Sequence, residues 1–431
     1  MVDGSSDATA LLGMEGFVVR SMELIDGEWW LLVETTADIV GCASCGVRAV
    51  GHGRNRVQVR DVPIAGHPVR LVWMKRRWRC RDLDCPVKTF TEQHELVEGC
   101  LTRRARREIC RSVGQDGHTV AEEARAFGVG WSTAMAAVID HGRPLVEDPR
   151  RLHQVHTLGV DEHKMLAAGP RHHTIFATQL VDLDRGRLLD VVAGRSAKSV
   201  TGWMDERTRY WRDRVEVVAI DPHRGYHNAL CSRLPRATVT IDHFHSIKLA
   251  NTAIDEVRRR TQRETTGHRG RKDDPLFGAR RLMTRGWERL SDKQIAHLFE
   301  ALRLGDIYDE VGAAIAAKEL LREFYASSTE KMARARLEKF YRHAKSSRVS
   351  EVARLARTVK RWEPEILTFF TTRTSNAGSE AQNLITEKLR RNAHGFRNFD
   401  NYRLRLLLHS GVEWNTPSTA RIRGRHPRRV A

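Results

Sequence analysis

The sequence predicts a multidomain α/β protein, and three observations support the prediction. At 431 residues, the chain is long for a single core, because domains most often have about 100–150 residues. Residues 155–250 alternate short apolar runs with helical segments, which is typical of helices covering a mostly open sheet. Residues 251–370 are rich in Arg, Glu and Ala and contain no strand-like run, which predicts an all-helical segment.

The composition favours a polyanionic partner. Lysine and arginine number 73 against 54 acidic residues, giving a formal net charge of +19, and each phosphate that is neutralised releases a condensed counterion. No uncharged apolar stretch reaches the about 18 residues of a membrane span, and Met1–Asp7 lacks the basic region of a signal peptide. We therefore expect a cytoplasmic protein that binds nucleic acid, with no membrane association and no small-molecule substrate.

Residues 1–15 are small and polar, and we expect them to be disordered. Residues 16–98 contain short strand-like runs and two cysteine pairs at short spacing. These pairs are Cys42 with Cys45, and Cys80 with Cys85. Four thiolates in two such pairs are a ligand set for tetrahedral structural zinc, so we predict a zinc-binding domain holding one Zn²⁺. The alternative is four reduced cysteines without metal.

A basic strand lies between the cysteine pairs. It carries Lys75, Arg76 and Arg77 with Trp73 and Trp78. Basic side chains can contact phosphates and aromatic rings can stack, so the strand is a candidate DNA-binding element. The alternative is a solvated basic strand face.

Residues 101–150 have the pattern of a helix-turn-helix, a helix followed by a glycine-containing turn and a second helix. Thr119 and Glu122 form a capping-box pattern at the first helix. We expect Ser132 or Thr133 to begin the second, DNA-recognising helix. The alternative is an ordinary pair of antiparallel helices.

Two acidic residues follow apolar runs in residues 155–250. Asp161 follows Leu158–Val160, and Asp221 follows Val217–Ile220. Neighbouring strands would project both carboxylates from one sheet edge, where they could share divalent ions about 3.5–4 Å apart. All-oxygen ligation favours Mg²⁺ or Mn²⁺. The alternative is that each aspartate closes a strand into a turn.

A third carboxylate is predicted at the start of a helix near residue 380. Ser379 and Gln382 form a second capping-box pattern, which places Glu380 in the first turn. Glu387 shares that helix face and is the fallback ligand. The alternative for Glu380 is a first-turn acid that only complements the helix dipole.

Asp242 and His245 are secondary candidates. Asp242 ends another apolar run, and His245 follows three residues later. Asp242 could replace Asp221 as the second metal ligand, or it could hold a neighbouring helix through His245.

These motifs together resemble bacterial insertion-sequence transposases of the ISL3 type, a branch of the DDE transposases with a ribonuclease-H-like catalytic core. The resemblance covers residues 40–412 and rests on the cysteine pairs and five further segments. Those segments are residues 158–162, 219–226, 234–245, 375–383 and 391–405.

The resemblance implies that Asp161, Asp221 and Glu380 bind two divalent metal ions and catalyse DNA strand cleavage and transfer. Residues 155–250 then begin the ribonuclease-H-like core, residues 251–370 form a helical insertion, and residues 371–412 complete the core with its final helices. Residues 413–431 form a basic tail.

The resemblance also implies the partners. The zinc finger and helix-turn-helix would bind the terminal inverted repeats, and Arg391, Arg397, Arg403 and Arg405 would contact phosphates with the tail. A homodimer or higher oligomer on double-stranded DNA, in the nucleoid of a bacterial cytoplasm, is expected. The alternatives are a DNA-binding regulator or domesticated transposase without catalysis, and a nuclease that cuts without joining.

Overall fold

The computed structural model describes residues 4–170 and 172–414, and the chain folds into two compact units. The first comprises residues up to Arg151, Arg391–His394 and residues from Asn398 onward, and the second comprises Leu152–Arg390 and Gly395–Arg397. None of the helices in these described ranges has both the length and the apolar character to cross a membrane. The arginines of the predicted basic tail, from residue 421 to residue 429, lie outside the described residues.

A seven-stranded sheet organises the first unit. Its strands are β1 Phe17–Ile25, β2 Glu28–Thr35, β3 Val50–Ile64, β4 His67–Arg79, β5 Thr89–Thr91, β6 Val97–Glu98 and β7 Leu101–Thr102. Their order is β1-β2-β4-β3-β7-β6, with β5 paired to β4. Alternation along β4 points Val69, Leu71 and Trp73 into one core, where Val59 of β3 joins them.

Residues near the N-terminus are helical, so the prediction of disorder for residues 1–15 was wrong over helix α1, Gly4–Leu12. Ala8 and Leu12, together with Met14, are buried in the core of the first sheet. A helix this short is marginal alone and is stabilised by packing. The small and polar composition therefore misled the prediction, because the stabilising surface is the sheet.

Helices α2 Arg103–Arg111, α3 Val120–Ala126 and α4 Trp131–Val146 follow the sheet, with a π-helical turn between α2 and α3. The capping box of Thr119 and Glu122 at α3 is confirmed. Helix α4 begins at Trp131 after Gly130, which provides no side-chain cap, so the prediction that Ser132 or Thr133 begins it was wrong.

A five-stranded sheet forms the second unit's α/β layer. Its strands are β8 Thr157–Leu166, β9 Ile175–Asp182, β10 Arg187–Ala193, β11 Val217–Ile220 and β12 Thr238–Ile241, and its first helices are α5 Ala197–Asp205, α6 Arg209–Arg212 and α7 Arg224–Arg233. The order is β10-β9-β8-β11-β12. Strands β8, β9 and β10 are antiparallel, whereas β11 is parallel to both β8 and β12. The predicted alternation of strands and helices is confirmed.

The following segment consists of helices and their connecting loops, with no strand among its described residues, as the sequence predicts. Its helices are α8 His243–Thr266, α9 Pro275–Met283, α10 Asp292–Gly305, α11 Glu310–Tyr325, α12 Glu330–Ser347, α13 Ser350–Arg361, α14 Glu363–Leu367, α15 Phe369–Thr372 and α16 Ala377–Asn392. Apolar residues of these helices share one continuous core with β8, β11 and β12. Helix α8 is also linked to α11 and α13 through Arg260, which pairs with Glu310 and Glu351.

The last helix, α17 Phe399–Ser410, belongs to the first unit. The predicted segment 371–412 therefore contains helices from both compact units. In α17, Leu408 packs closely against Gly142 of α4, where an added Cβ would lie 2.8 Å from the leucine Cδ1. This packing joins residues that are far apart in sequence, so the position of α17 near Glu380 in the chain does not indicate it.

This close approach predicts opposite effects for two glycine substitutions. Gly142→Ala should destabilise the first unit by ~1–3 kcal/mol because the core is already filled. Gly202→Ala, in helix α5 with nothing within 4 Å of its added Cβ, should be neutral or stabilising by up to ~1 kcal/mol. Thermal and denaturant unfolding of both variants checks the difference, and a stabilised Gly142→Ala variant would contradict the packing.

Candidate active site

The four predicted cysteines lie together in the first unit. The Sγ atoms of Cys42 and Cys85 are 3.8 Å apart and those of Cys45 and Cys80 are 3.5 Å apart. Ligands about 2.3 Å from a tetrahedral zinc ion are separated by about 3.8 Å, so the cluster is consistent with Zn²⁺. Backbone N–H groups of Cys45 and Ser44 lower the pKa of Cys42 to about 7, which favours the thiolate at that position, whereas burial raises the pKa of Cys80.

Zinc content offers a direct test of this cluster. Cys80→Ser should reduce bound zinc from about one ion per chain to nearly none, because three remaining thiolates no longer close a tetrahedral site. The melting temperature of the first unit should fall, since binding of structural zinc contributes to folding. Elemental analysis and thermal unfolding measure both effects. Cys100→Ser, at an exposed cysteine outside the cluster, is the control; equal zinc in both variants would contradict the assignment.

Several side chains of the basic strand make contacts within the protein rather than facing solvent. Arg76 donates to the carbonyls of Thr35 and Ala37, and 15% of its side chain is exposed. Trp73 and Trp78 are buried, so the prediction that they could stack on bases was wrong. Trp73 belongs to the core of the first sheet, and Trp78 lies across from Gly51 of β3 and Phe90 of β5.

Lys75 and Arg77 are both partly exposed on β4. The Lys75 ammonium group lies 4.7 Å from the centroid of the Trp73 ring and donates to Gln93 Oε1 at 3.2 Å. Arg77 lies across from Thr91 of β5. Both side chains thus remain on the sheet surface, unlike the two tryptophans.

The first turn of α4 presents Ser132, which is exposed, and Thr133, which is partly exposed. Trp131 precedes them and is 53% exposed. The helix-turn-helix pattern did not single out this tryptophan, although a large aromatic residue directly after the turn glycine was the available signal. An exposed aromatic residue at the start of the predicted recognition helix enlarges the candidate DNA-binding surface.

Of the four predicted phosphate-contacting arginines near the C-terminus, Arg391 and Arg397 are exposed and Arg403 is partly exposed. Arg405 is buried and donates to the His118 carbonyl at 2.7 Å. Burial lowers the pKa of Arg405 to about 10. Its position inside the first unit shows that the prediction of a phosphate contact was wrong for Arg405.

In the second unit, three aspartates occupy corresponding positions on neighbouring strands. Asp161 comes directly after the β8 residues that pair with β11, Asp221 follows β11, and Asp242 follows β12. The expected neighbouring strands are therefore confirmed. The prediction that β8 ends at Asp161 was wrong, because its antiparallel pairing with β9 continues to Leu166.

Helix α16 brings polar groups to this sheet edge. Asn383 Nδ2 donates to Asp161 Oδ2 at 2.6 Å, and the backbone N–H of Glu162 donates to Asp161 Oδ1 at 2.7 Å. Asn376, just before the helix, donates to Asp221 Oδ1 at 3.4 Å through its side chain and to Asp242 Oδ1 at 3.3 Å through its backbone. Neither asparagine had a role predicted from the sequence.

The helix can approach because β8 has a glycine at the contact. A Cβ added to Gly159 would overlap the Ser379 hydroxyl and lie 2.8 Å from Leu183 Cδ2. Ser379 is fully buried inside α16, and Gln382 donates to the Gly186 carbonyl. The predicted Ser379–Gln382 capping box was therefore wrong: both side chains face packed protein.

Glu380 lies in the first turn of α16 beside Asp242 and His245. One ligand atom from each of these three residues lies within 4.8 Å of the others. His245 Nε2 is 2.7 Å from Asp221 Oδ2, and its Nδ1 is 3.8 Å from Asp242 Oδ2. His245 thus bridges Asp221 to the group containing Glu380. The sequence had indicated only a contact between His245 and Asp242.

The fallback ligand Glu387 has a different environment. It pairs with Arg390 one turn later on α16, with a distance of 2.8 Å. This ion pair gives Glu387 a partner outside the group formed by Glu380, Asp242 and His245.

The site concentrates negative charge in a largely buried space. Burial and the neighbouring charge of Asp221 raise the pKa of Asp161 to about 7. Burial, followed by the charge of Asp242, also raises the pKa of Glu380. Burial opposes protonation of His245, but hydrogen bonds to Asp221 and Asp242 raise its pKa to about 9. A divalent cation would stabilise such a donor set, whose carboxylate oxygens suit Mg²⁺ or Mn²⁺.

Comparisons with known proteins match both regions of the chain. The DDE family of ISL3 type, described as a transposase, matches residues 158–406. The family described as the zinc-finger of transposase IS204/IS1001/IS1096/IS1165 matches residues 40–85. A search of curated proteins found no match. Because the first match spans more than half of the sequence and includes the carboxylate cluster, the chain belongs to the ISL3-type DDE transposases, a family of catalytic phosphoryl transferases.

Proposed function

We propose that this transposase binds the terminal inverted repeats of an insertion sequence and catalyses metal-dependent DNA cleavage and strand transfer. The convergence of acidic residues from distant segments is the principal support. Asp161 and Asp221 lie at adjoining strands, and α16 supplies Glu380 beside Asp242 and His245. Three antiparallel strands followed by two parallel ones also support a ribonuclease-H-like core.

Asp161, Asp221 and Glu380 are the proposed metal ligands. Two divalent ions held there would supply activation of an attacking hydroxyl and stabilisation of the leaving oxygen during in-line phosphoryl transfer. His245 orients Asp221 through their 2.7 Å contact. Asp242 contacts the same histidine and remains the alternative second ligand.

DNA recognition is assigned to the first unit and its flanking basic residues. Ser132 and Thr133 at the start of α4 would face bases or phosphates, while Lys75 and Arg77 would contact the backbone. Exposed Arg391 and Arg397, with Arg403, would add phosphate contacts. Arg76 instead stabilises the sheet through the carbonyls that it binds. Joining of two ends favours a homodimer or higher oligomer on double-stranded DNA.

A single reaction distinguishes the proposed function from its alternatives. The purified chain is incubated with end-labelled duplexes carrying the element's inverted repeats, a supercoiled target plasmid, and Mg²⁺ or Mn²⁺. Joined end–plasmid products are expected. Cleaved ends without joining would indicate a nuclease, and binding without cleavage would indicate a regulator or a catalytically inactive transposase; either result would overturn the proposal.

A further inference from the structure

Two asparagines flank Glu380 and contact different metal-ligand candidates. Asn376 precedes Glu380 by four residues and Asn383 follows it by three, spacings that place side chains on one side of a helix. Asn376 contacts Asp221, and Asn383 contacts Asp161. One short stretch therefore supplies an acid together with a hydrogen-bond donor to each of two other acids.

The side-chain amide oxygens of both asparagines are buried at this site. Asn376 is fully buried, and Oδ1 of Asn376 and Oδ1 of Asn383 are buried without a hydrogen-bond partner among the described residues. An unpartnered buried amide oxygen is unfavourable, and two of them belong to the residues that contact the carboxylates. Divalent ions bring coordinated water, and Mg²⁺ usually keeps several of its waters. Such waters are donors of the kind that these oxygens require.

We propose that Asn376 and Asn383 are positioning residues that hold Asp221 and Asp161 in orientations suited to Mg²⁺. This inference rests on the proposed function. Each amide donates to one carboxylate oxygen and restrains its rotation, while the remaining lone pairs are available to a cation. Mg²⁺ requires near-ideal octahedral geometry, whereas Mn²⁺ is a larger high-spin d⁵ ion with no ligand-field preference and therefore tolerates distortion of its oxygen ligands. Loss of a restraint should therefore impair Mg²⁺ more than Mn²⁺.

Other hydrogen bonds dock α16 without contacting a carboxylate. Gln179 of β9 donates to Thr386 Oγ1 at 2.6 Å, and this contact is buried. Thr386 lies three residues after Asn383 on the same helix. Thr386→Val thus removes a buried contact between the helix and the sheet while leaving both asparagines in place, which makes it a matched control for a merely structural effect.

The test compares Asn383→Leu with Thr386→Val in the full-length protein. Calorimetric titration with Mn²⁺ alone measures metal affinity, and cleavage of labelled element ends measures the ratio of Mg²⁺-supported to Mn²⁺-supported rates. Asn383→Leu should weaken Mn²⁺ affinity by ~10–100-fold, the usual effect of losing a contact that orients a metal ligand. Its Mg²⁺-to-Mn²⁺ rate ratio should fall at least ~10-fold. Thr386→Val should preserve both quantities even if it melts earlier.

Two results would overturn the inference. One is wild-type Mn²⁺ affinity and rate ratio in Asn383→Leu, and the other is an equal change of both quantities in Thr386→Val. If Asn383→Leu does not fold, as judged by circular dichroism, Asn383→Ala is measured with the same expectations. Asp161→Asn separates this inference from the proposed function: metal binding and cleavage retained by that variant would overturn the proposed function itself.

Discussion

Asp161→Asn is expected to reduce DNA strand cleavage and joining by at least ~10³-fold while the protein still binds element ends. The reason is that asparagine is nearly isosteric but lacks the charge that holds a divalent ion, and metal ions contribute several kcal/mol of transition-state stabilisation. A loss of about 4 kcal/mol corresponds to the stated factor. Cleavage assays with labelled ends measure the loss, and gel-shift titration measures binding. Asp161 belongs to the second unit, whereas the proposed recognition helix belongs to the first.

A pair of glutamates on α16 provides a matched comparison for the same prediction. Glu380→Gln should have a comparable effect, because Glu380 lies beside Asp242 and His245. Glu387→Gln should retain activity, since Glu387 pairs with Arg390 on the same helix. Full activity in Asp161→Asn would reject the metal-site assignment. Loss of activity in Glu387→Gln but not in Glu380→Gln would identify the fallback residue as the third ligand.

The metal-free protein carrying Asp161→Asn should be more stable than the metal-free wild type at pH 8. Burial and Asp221 raise the pKa of Asp161 to about 7 from an ordinary value of 3.8, so the folded state favours the protonated carboxyl. The contribution of Asp161 to wild-type stability must then decrease as pH rises from about 4 to 7, and its full cost persists above pH 7. Each tenfold difference in proton affinity corresponds to about 1.4 kcal/mol, giving an effect on the order of 2–4 kcal/mol.

Thermal unfolding in EDTA at pH 4.5 and pH 8 measures this effect. Most of the stability advantage of Asp161→Asn should be lost at the lower pH, where about 1 kcal/mol remains. Adding Mn²⁺ at pH 8 should raise the melting temperature of the wild type alone, because ligand binding to the folded state stabilises it. Asp182→Asn is the control, since buried Asp182 accepts hydrogen bonds from His153 and Arg185 and its replacement should destabilise the protein. A less stable Asp161→Asn variant at pH 8 would contradict the prediction.

Local patterns were sufficient for much of the second unit. The apolar runs before Asp221 and Asp242 correspond to β11 and β12, and the absence of strand-like runs after residue 251 correctly indicated helices. The end of β8 was not predictable in this way, because pairing with β9 carries the strand beyond Asp161. The packing of α17 against α4 was not predictable for a related reason. It is determined by tertiary contacts rather than by the neighbours of α17 in sequence.

Local sequence patterns likewise predicted only part of the candidate site. Short spacing predicted the cysteine cluster, and the acids could be selected individually from their positions after apolar runs. By contrast, the role of His245 depends on the distance between Asp221 and Asp242, which no local pattern encodes. Ser379 matched a capping box, yet the absence of a side chain at Gly159 allows the helix to bury that serine. Steric fit across the fold overrode a valid local motif.

The hydrogen bond from the backbone of Asn376 to Asp242 has a consequence for variation in chain length. This hydrogen bond joins the residue before α8 to the residue before α16. The chain therefore enters the intervening helical segment and leaves it at nearly the same point of the fold. The entropic cost of closing such an excursion grows only slowly with its length. Changes in the length of the loops between these helices should therefore have little effect on the distance between the acids, provided that the shared core is kept and the two ends still meet.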